Sequence, residues 1–243
     1  RHQLRSFRNP YLKHCHEITI AGDSLYMTST GFDSVLEYDL VGSRFVRGYC
    51  LRFHPVWRIR RKIPVRPRPS FRTFDPESSD GPSPGDTCHI NNVHVESGSV
   101  FVTGTGLASM WRIRDGHLDR FARIPYGSHN ARPYRGGILL NHTRTDRIAF
   151  LDRRARVERT FPLPRYGMED LRNAGISSDQ ARAAFGRGLA VVDSNFFVGG
   201  SSPATVTLYR FDRQQPITSI NITMDVRNAV HGLEPWPSEV GDS

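Results

Sequence analysis

The stretch from Cys88 to Gly106, CHINNVHVESGSVFVTGTG, decides the fold. His89-Ile90-Asn91-Asn92 is a polar lead-in to an alternating strand, Ser97-Gly98-Ser99 supplies a turn, and Val100-Phe101-Val102-Thr103 alternates back, which reads as a β-hairpin. Setting His16 against Asn91 brings Gly22-Asp23-Ser24 onto that turn, Leu25-Tyr26-Met27 onto Val100-Phe101-Val102, and Gly31 onto Gly106. The third strand then follows without a gap, Ser34-Val35-Leu36-Glu37-Tyr38 on Ser109-Met110-Trp111-Arg112-Ile113. The same register places His129-Asn130-Ala131 on His16-Glu17-Ile18 and Ile148-Ala149-Phe150-Leu151-Asp152 on the third strand. A further copy starts at Arg187-Gly188-Leu189, and a partial one at His231-Gly232-Leu233.

Short antiparallel strands repeating at a period of roughly 40 residues are the sequence signature of a β-propeller. The expectation is an all-β chain forming one propeller domain over residues 1–243, with five blades, the last completed by strands from both ends. Six blades are the alternative, with His54 opening a degenerate copy. Two intervals break the period. Between Leu51 and Thr87 the chain is rich in proline and arginine and then in Ser, Asp and Gly, which predicts an outer strand followed by a long loop. Over residues 168–184, Met168, Leu171, Ile176 and Ala181, with Glu169-Asp170 near the start, predict a short helical insertion.

The 243 residues carry a formal charge of +9, almost all of it from arginine, since Lys13 and Lys62 are the lysines. The arginines are scattered singly along strands and turns, and no zinc knuckle, helix-turn-helix pattern or aromatic platform accompanies them, which argues against a nucleic-acid protein. Arg58 to Arg72 concentrates charge among prolines, as a solvated edge strand does. No apolar run approaches the ~18–20 residues needed to span a bilayer, and no export signal is visible, so the expected location is cytoplasmic. Cys15, Cys50 and Cys88 fit neither a disulfide framework nor a CxxC metal site and read as reduced core residues. Nucleophile elbow, P-loop, HExxH and dinucleotide motifs are all missing.

In a propeller the first strand of each blade lines the central channel, so equivalent positions form a ring. The aligned positions are His16, Asn91, His129, Arg187 and His231, with Glu17, Asn92, Asn130 and Gly188 beside them and Glu234 shortly after the last. Three imidazoles from separate blades can converge on one divalent cation, so His16, His129 and His231 are candidate metal ligands, with Glu17 or Glu234 as a fourth ligand or a tautomer-fixing carboxylate. In the same reading His16, His129, His231 and Glu17 are the candidate catalytic groups. Arg187 is the candidate clamp for a carboxylate or phosphate, and Asn91, Asn92, Asn130 and His89 are candidate substrate contacts. The competing reading of the ring is structural: hydrogen bonds to water and neighbouring backbone. His94 alternates to the opposite side of its strand and reads as a core histidine.

Cys88-His89-Ile90-Asn91-Asn92 after an acidic, proline-bearing loop, the Val102-Thr103-Gly104-Thr105-Gly106 run, and Arg187-Gly188-Leu189-Ala190-Val191 followed by Phe197-Val198-Gly199 together span most of the chain. With these motifs the chain resembles an uncharacterised, mostly bacterial family of propeller-like domains of unknown function. The resemblance implies the fold and supplies no reaction. The chain departs from the family's pattern at Asn92-Val93-His94, where Gly-Leu-Ala is usual, and at Ser128-His129-Asn130, where Ser-Pro-Arg is expected. The functional expectation is an enzyme, metal-dependent, acting on a small polar or anionic molecule. The alternative is a non-catalytic propeller that binds a partner protein or glycan.

Overall fold

A computed structural model describes residues 6–53, 68–176 and 182–235. The chain divides into two compact units, Arg1–Phe121 and Ala122–Ser243. The first blade in unit 1 contains β1 (Ile18–Ala21), β2 (Ser24–Ser29), β3 (Ser34–Asp39), β4 (Arg44–Arg52) and β5 (Ser70–Phe74). The second contains β6 (Ile90–Glu96), β7 (Ser99–Gly104), β8 (Ser109–Arg114) and β9 (His117–Arg123). Unit 2 holds β10 (His129–Tyr134), β11 (Gly137–His142), β12 (Arg147–Leu151) and β13 (Val157–Pro162), then β14 (Phe185–Val191), β15 (Phe196–Ser202), β16 (Thr205–Arg210) and β17 (Thr218–Asn221). Within every sheet the strand order equals the chain order, which is the antiparallel meander of a propeller blade.

The expected hairpin is β6–β7, and Val93 pairs with Val102 at its centre. The turn residue Ser97 has φ +49° and Gly98 φ +71°, the left-handed geometry that a tight antiparallel turn demands. In unit 1, Tyr26, Val35, Tyr49 and Leu51 of the first blade share a buried cluster with Ile90, Val93, Val102 and Trp111 of the second. In unit 2 the corresponding core is aromatic: Phe161, Phe197, Tyr209 and Phe211 pack with Tyr134, Phe150 and Leu189. Each buried ring or branched side chain contributes about 1.5–3 kcal/mol, so the facing blade surfaces are the main source of stability in each unit.

Four blades are present among the described residues, not five or six. The stub at His231 begins no strand. Residues 227–235 carry no ladder, and the segment lies along the fourth blade, where Val230 donates its N–H to the Ser201 carbonyl. Gly188 and Gly200 make room for it, since a Cβ at either would meet the Val230 oxygen at 2.8 Å. Residues 6–17 likewise add no strand: Tyr11 is held by the Ser29 hydroxyl and packs edge-on against Phe32 and Phe74. His54 lies outside the described residues. After it, Ser70–Phe74 pairs with β4 as an outer fifth strand and opens no new blade, in keeping with the predicted outer strand.

The helical insertion is also corrected. Gly167 to Ile176 forms consecutive i→i+3 turns, and Arg172 bridges to Asp225. Met168 is 68% exposed and Ile176 44%, so the apolar periodicity has no buried face to support a helix. Residues 177–181 lie outside the described set. Among the described residues no helix is long and apolar enough to cross a membrane.

Candidate functional site

The repeated positions found in the sequence coincide with a repeated backbone irregularity. In β6, Ile90 pairs with Gly104 and Asn92 with Thr103, so Asn91 is an extra residue in the ladder. In β14, Gly186 pairs with Ser201 and Gly188 with Gly200, which leaves Arg187 as the extra residue. In β10 the shift falls between His129 and Arg132, and Asn130 there takes φ +46°. Just before β1, the N–H groups of both His16 and Glu17 point at the Thr28 hydroxyl, at 2.9 and 3.0 Å, so a side chain stands in for a ladder carbonyl. A β-bulge releases one residue from pairing and re-aims its side chain, as β6, β10 and β14 each do.

In unit 1 the structure brings together four of the expected residues. Glu17 is 3% exposed, and its carboxylate accepts a hydrogen bond from the Asn92 carboxamide. Asn92 accepts in turn from the Thr103 hydroxyl at 3.1 Å. The His16 ring lies edge-on to His89 at 5.4 Å between centroids, and His89 Nδ1 contacts the Asp86 carboxylate at 3.0 Å. Asn91 is 2% exposed, and neither polar atom of its side chain has a hydrogen-bond partner.

The lead-in to this strand is fixed by a residue that sequence reasoning missed. Asp33, fully buried at φ +49°, accepts from Thr87 N–H and Oγ1–H at 2.7 Å each, from Cys88 N–H at 2.9 Å and from His89 N–H at 3.2 Å. Burial pushes its carboxyl up from the ordinary aspartate range, while the Thr87 and Cys88 donors pull it down. From the other side, Thr105 and Gly106 donate to the His89 and Cys88 carbonyls. This accounts for the Gly-Thr-Gly run: a Cβ at Gly104 would sit 2.4 Å from the Cys88 oxygen, so backbone meets backbone there. Gly104→Ala is therefore expected to cost about 1–3 kcal/mol in urea unfolding. An unchanged midpoint would show that the Cys88–His89 backbone yields freely.

In unit 2, β10 and β14 lie side by side. Arg132 donates to the Leu189 carbonyl at 2.8 Å and Asn141 to the Gly188 carbonyl at 2.9 Å, so two buried blade-three side chains hold the strand that carries Arg187. Glycine flanks Arg187 because a Cβ at Gly186 would meet the Asn141 oxygen at 2.6 Å. The Arg187 guanidinium carbon lies 4.3 Å from the centroid of the Phe185 ring, and Arg182 lies 4.8 Å from the same ring. His129, 7% exposed, sets its ring edge-on to Phe185 at 6.0 Å. Asn130 reaches the His231 carbonyl at 3.5 Å. Burial, and then the charge of Arg187, pull the His231 imidazole below its usual range, which favours its neutral form. Burial and the nearby Arg182 likewise lower Arg187.

Four expected residues, His129, Asn130, Arg187 and His231, are thus placed in one neighbourhood, while Phe185 and Arg182 had no signal in the repeat. Among the described residues no group of three or more His, Cys, Asp and Glu is positioned to hold a metal ion.

No family model matches the chain, and no curated protein matches it in sequence. Among solved structures its backbone is similar to the crystal structure of the WD40 beta propeller domain of Doa1, with a TM-score of 0.50 over 90% of this chain and 72% of that one. The fold is of the propeller class. At 11% identity the likeness reaches the fold and stops there.

Proposed function

We propose that the protein is a non-catalytic propeller that binds a partner protein, with Arg187, the half-buried bulge residue of β14, among its contacts. The observation that carries this reading is the state of the acid–base candidates. Glu17 is buried and engaged by Asn92, so the carboxylate among the candidate catalytic groups is committed to the fold instead of being held ready for proton transfer. Arginine, by contrast, is among the residue types enriched at the anchor points of protein interfaces. Part of the positive charge is matched locally, in pairs such as Arg112–Asp119, Arg156–Asp152 and Arg227–Asp225, which weighs against a continuous basic track for nucleic acid.

The test sets this reading against a metal-dependent enzyme built on His16, His129 and His231. Purified protein is exchanged into Zn2+, Mn2+ or Fe2+, desalted and assayed for bound metal, and in parallel partners are cross-linked in the native cell and identified. The expected result is a specific partner and no stoichiometric metal. Metal retained at one equivalent and lost in the His16→Ala/His129→Ala double variant would overturn the reading in favour of the enzyme.

A further inference from the structure

We propose that unit 2 carries a carboxylate-recognition site, in which the Arg187 guanidinium, held on the Phe185 ring, receives an Asp or Glu side chain of an acidic peptide segment. The proposal rests on the reading of the protein as a binding propeller and names the chemistry that one of its sites recognises.

Charge accounting around the Phe185 ring singles out Arg187. Arg182 is ion-paired with Asp146, which also takes Arg165 at 3.4 Å, and donates to the Thr143 carbonyl, so its guanidinium is engaged within the fold. Arg132 spends its Nε on the Leu189 carbonyl and has Glu234 at 3.8 Å. Arg187 differs: among the described residues no carboxylate pairs with it, and its Nε is buried with no hydrogen-bond partner. A buried guanidinium N–H that bonds to nothing is costly, and a ligand oxygen at that position supplies the missing acceptor.

Geometry adds direction. Arg187 sits at a bulge, so its side chain is aimed by the backbone and not by a cross-strand neighbour. Its guanidinium stacks near a ring whose edge is fixed by His129, which limits the rotamers it samples and leaves the fork pre-set for a planar, two-oxygen acceptor. The ligand's shape follows from the same geometry: a planar guanidinium with an unpartnered Nε–H is matched by the two coplanar oxygens of a carboxylate.

The test uses the whole chain and a fluorescein-labelled peptide of alternating glutamate and glycine, its glutamine counterpart, and a phosphoserine counterpart, read by fluorescence anisotropy. The glutamate peptide is expected to bind saturably, to be displaced by glutarate, and to weaken as NaCl is raised. Arg187→Gln is expected to lose at least about tenfold in affinity, the scale of one charge-assisted pair. Equal binding of the glutamine peptide, tighter binding of the phosphoserine peptide, or unchanged affinity in Arg187→Gln would each overturn the proposal.

Thermal unfolding supplies a readout that a structural arginine would move the other way. Arg187→Met removes an unmatched, partly buried cation, and its Tm is expected to rise by about 2–4 °C, where loss of a structural contact would lower it. A fall in Tm counts against the proposal. Repeating the cellular cross-linking with Arg187→Gln separates the two levels. A partner still captured by the variant sinks the carboxylate site and leaves the binding reading standing, whereas no partner for either protein removes the binding reading itself.

Discussion

Asp33→Ala is expected to lower unfolding stability by about 3–5 kcal/mol, the cost of removing one side of a buried charged network. Two oxygens of one carboxylate serve four donors on Thr87, Cys88 and His89, and alanine leaves all four in a buried site with nothing to accept them. The backbone at Asp33 adds to the loss. At φ +49° an alanine is strained by about 1–2 kcal/mol, while asparagine and glycine tolerate the geometry. Three variants therefore separate the causes. Asp33→Gly loses the acceptors without the strain, Asp33→Ala loses both, and Asp33→Asn keeps one oxygen but turns an NH2 toward donors, so it should fall between wild type and glycine. Urea unfolding followed by circular dichroism ranks them, and amide exchange at Cys88 and His89 reports the local release. A loss below about 1 kcal/mol in Asp33→Ala would mean that water replaces the carboxylate and that the lead-in to β6 is held by Gly104 to Gly106 alone.

Phe197→Ala should cost about 3–5 kcal/mol, and it acts in unit 2. Phe197 is fully buried, lies flat against Tyr209 at 5.1 Å and meets Phe161 edge-on at 4.8 Å. Each such ring pair adds about 0.5–1.5 kcal/mol beyond the area it buries, so truncation removes these two pairings and a third with Tyr134 at 6.3 Å, and opens a cavity between blades three and four. Phe197→Leu keeps most of the volume and should recover more than half of the loss. The measurement is urea unfolding together with amide exchange along β14 to β16. Protection lost in those strands and kept in β6 to β8 is the expected pattern, and a uniform change along the chain would show that the aromatic cluster is not a local source of stability.

The repeat was legible because its spacing reflects geometry. Asn91 and Arg187 were found by letter alignment, and both are extra residues in their ladders, while the third copy shifts at the same place within a residue of His129. The turn at Ser97-Gly98 and the outer strand after Leu51 were likewise carried by local backbone chemistry. The blade count was not. His231-Gly232-Leu233 matches the repeat in letters, but strand formation needs a partner ladder, and the segment lies across glycines of the fourth blade instead. Met168 to Ala184 failed for a related reason, since apolar spacing predicts a helix only when something covers the apolar face. Asp33 and Phe185 were invisible because each acts across sequence distance: Asp33 on backbone more than fifty residues later, and Phe185 through the arginines and histidine that surround its ring.

The bulges also bear on how such a protein can change over time. Within a regular ladder a residue is chosen jointly with the one opposite, so replacing it disturbs a neighbouring strand. A residue excluded from the pairing carries no such obligation. The copies accordingly hold asparagine and arginine at their bulges, with regular pairing resuming on the far side of each. Selection can rewrite those letters one blade at a time, changing the polar group at each bulge while the scaffold beneath stays as it is.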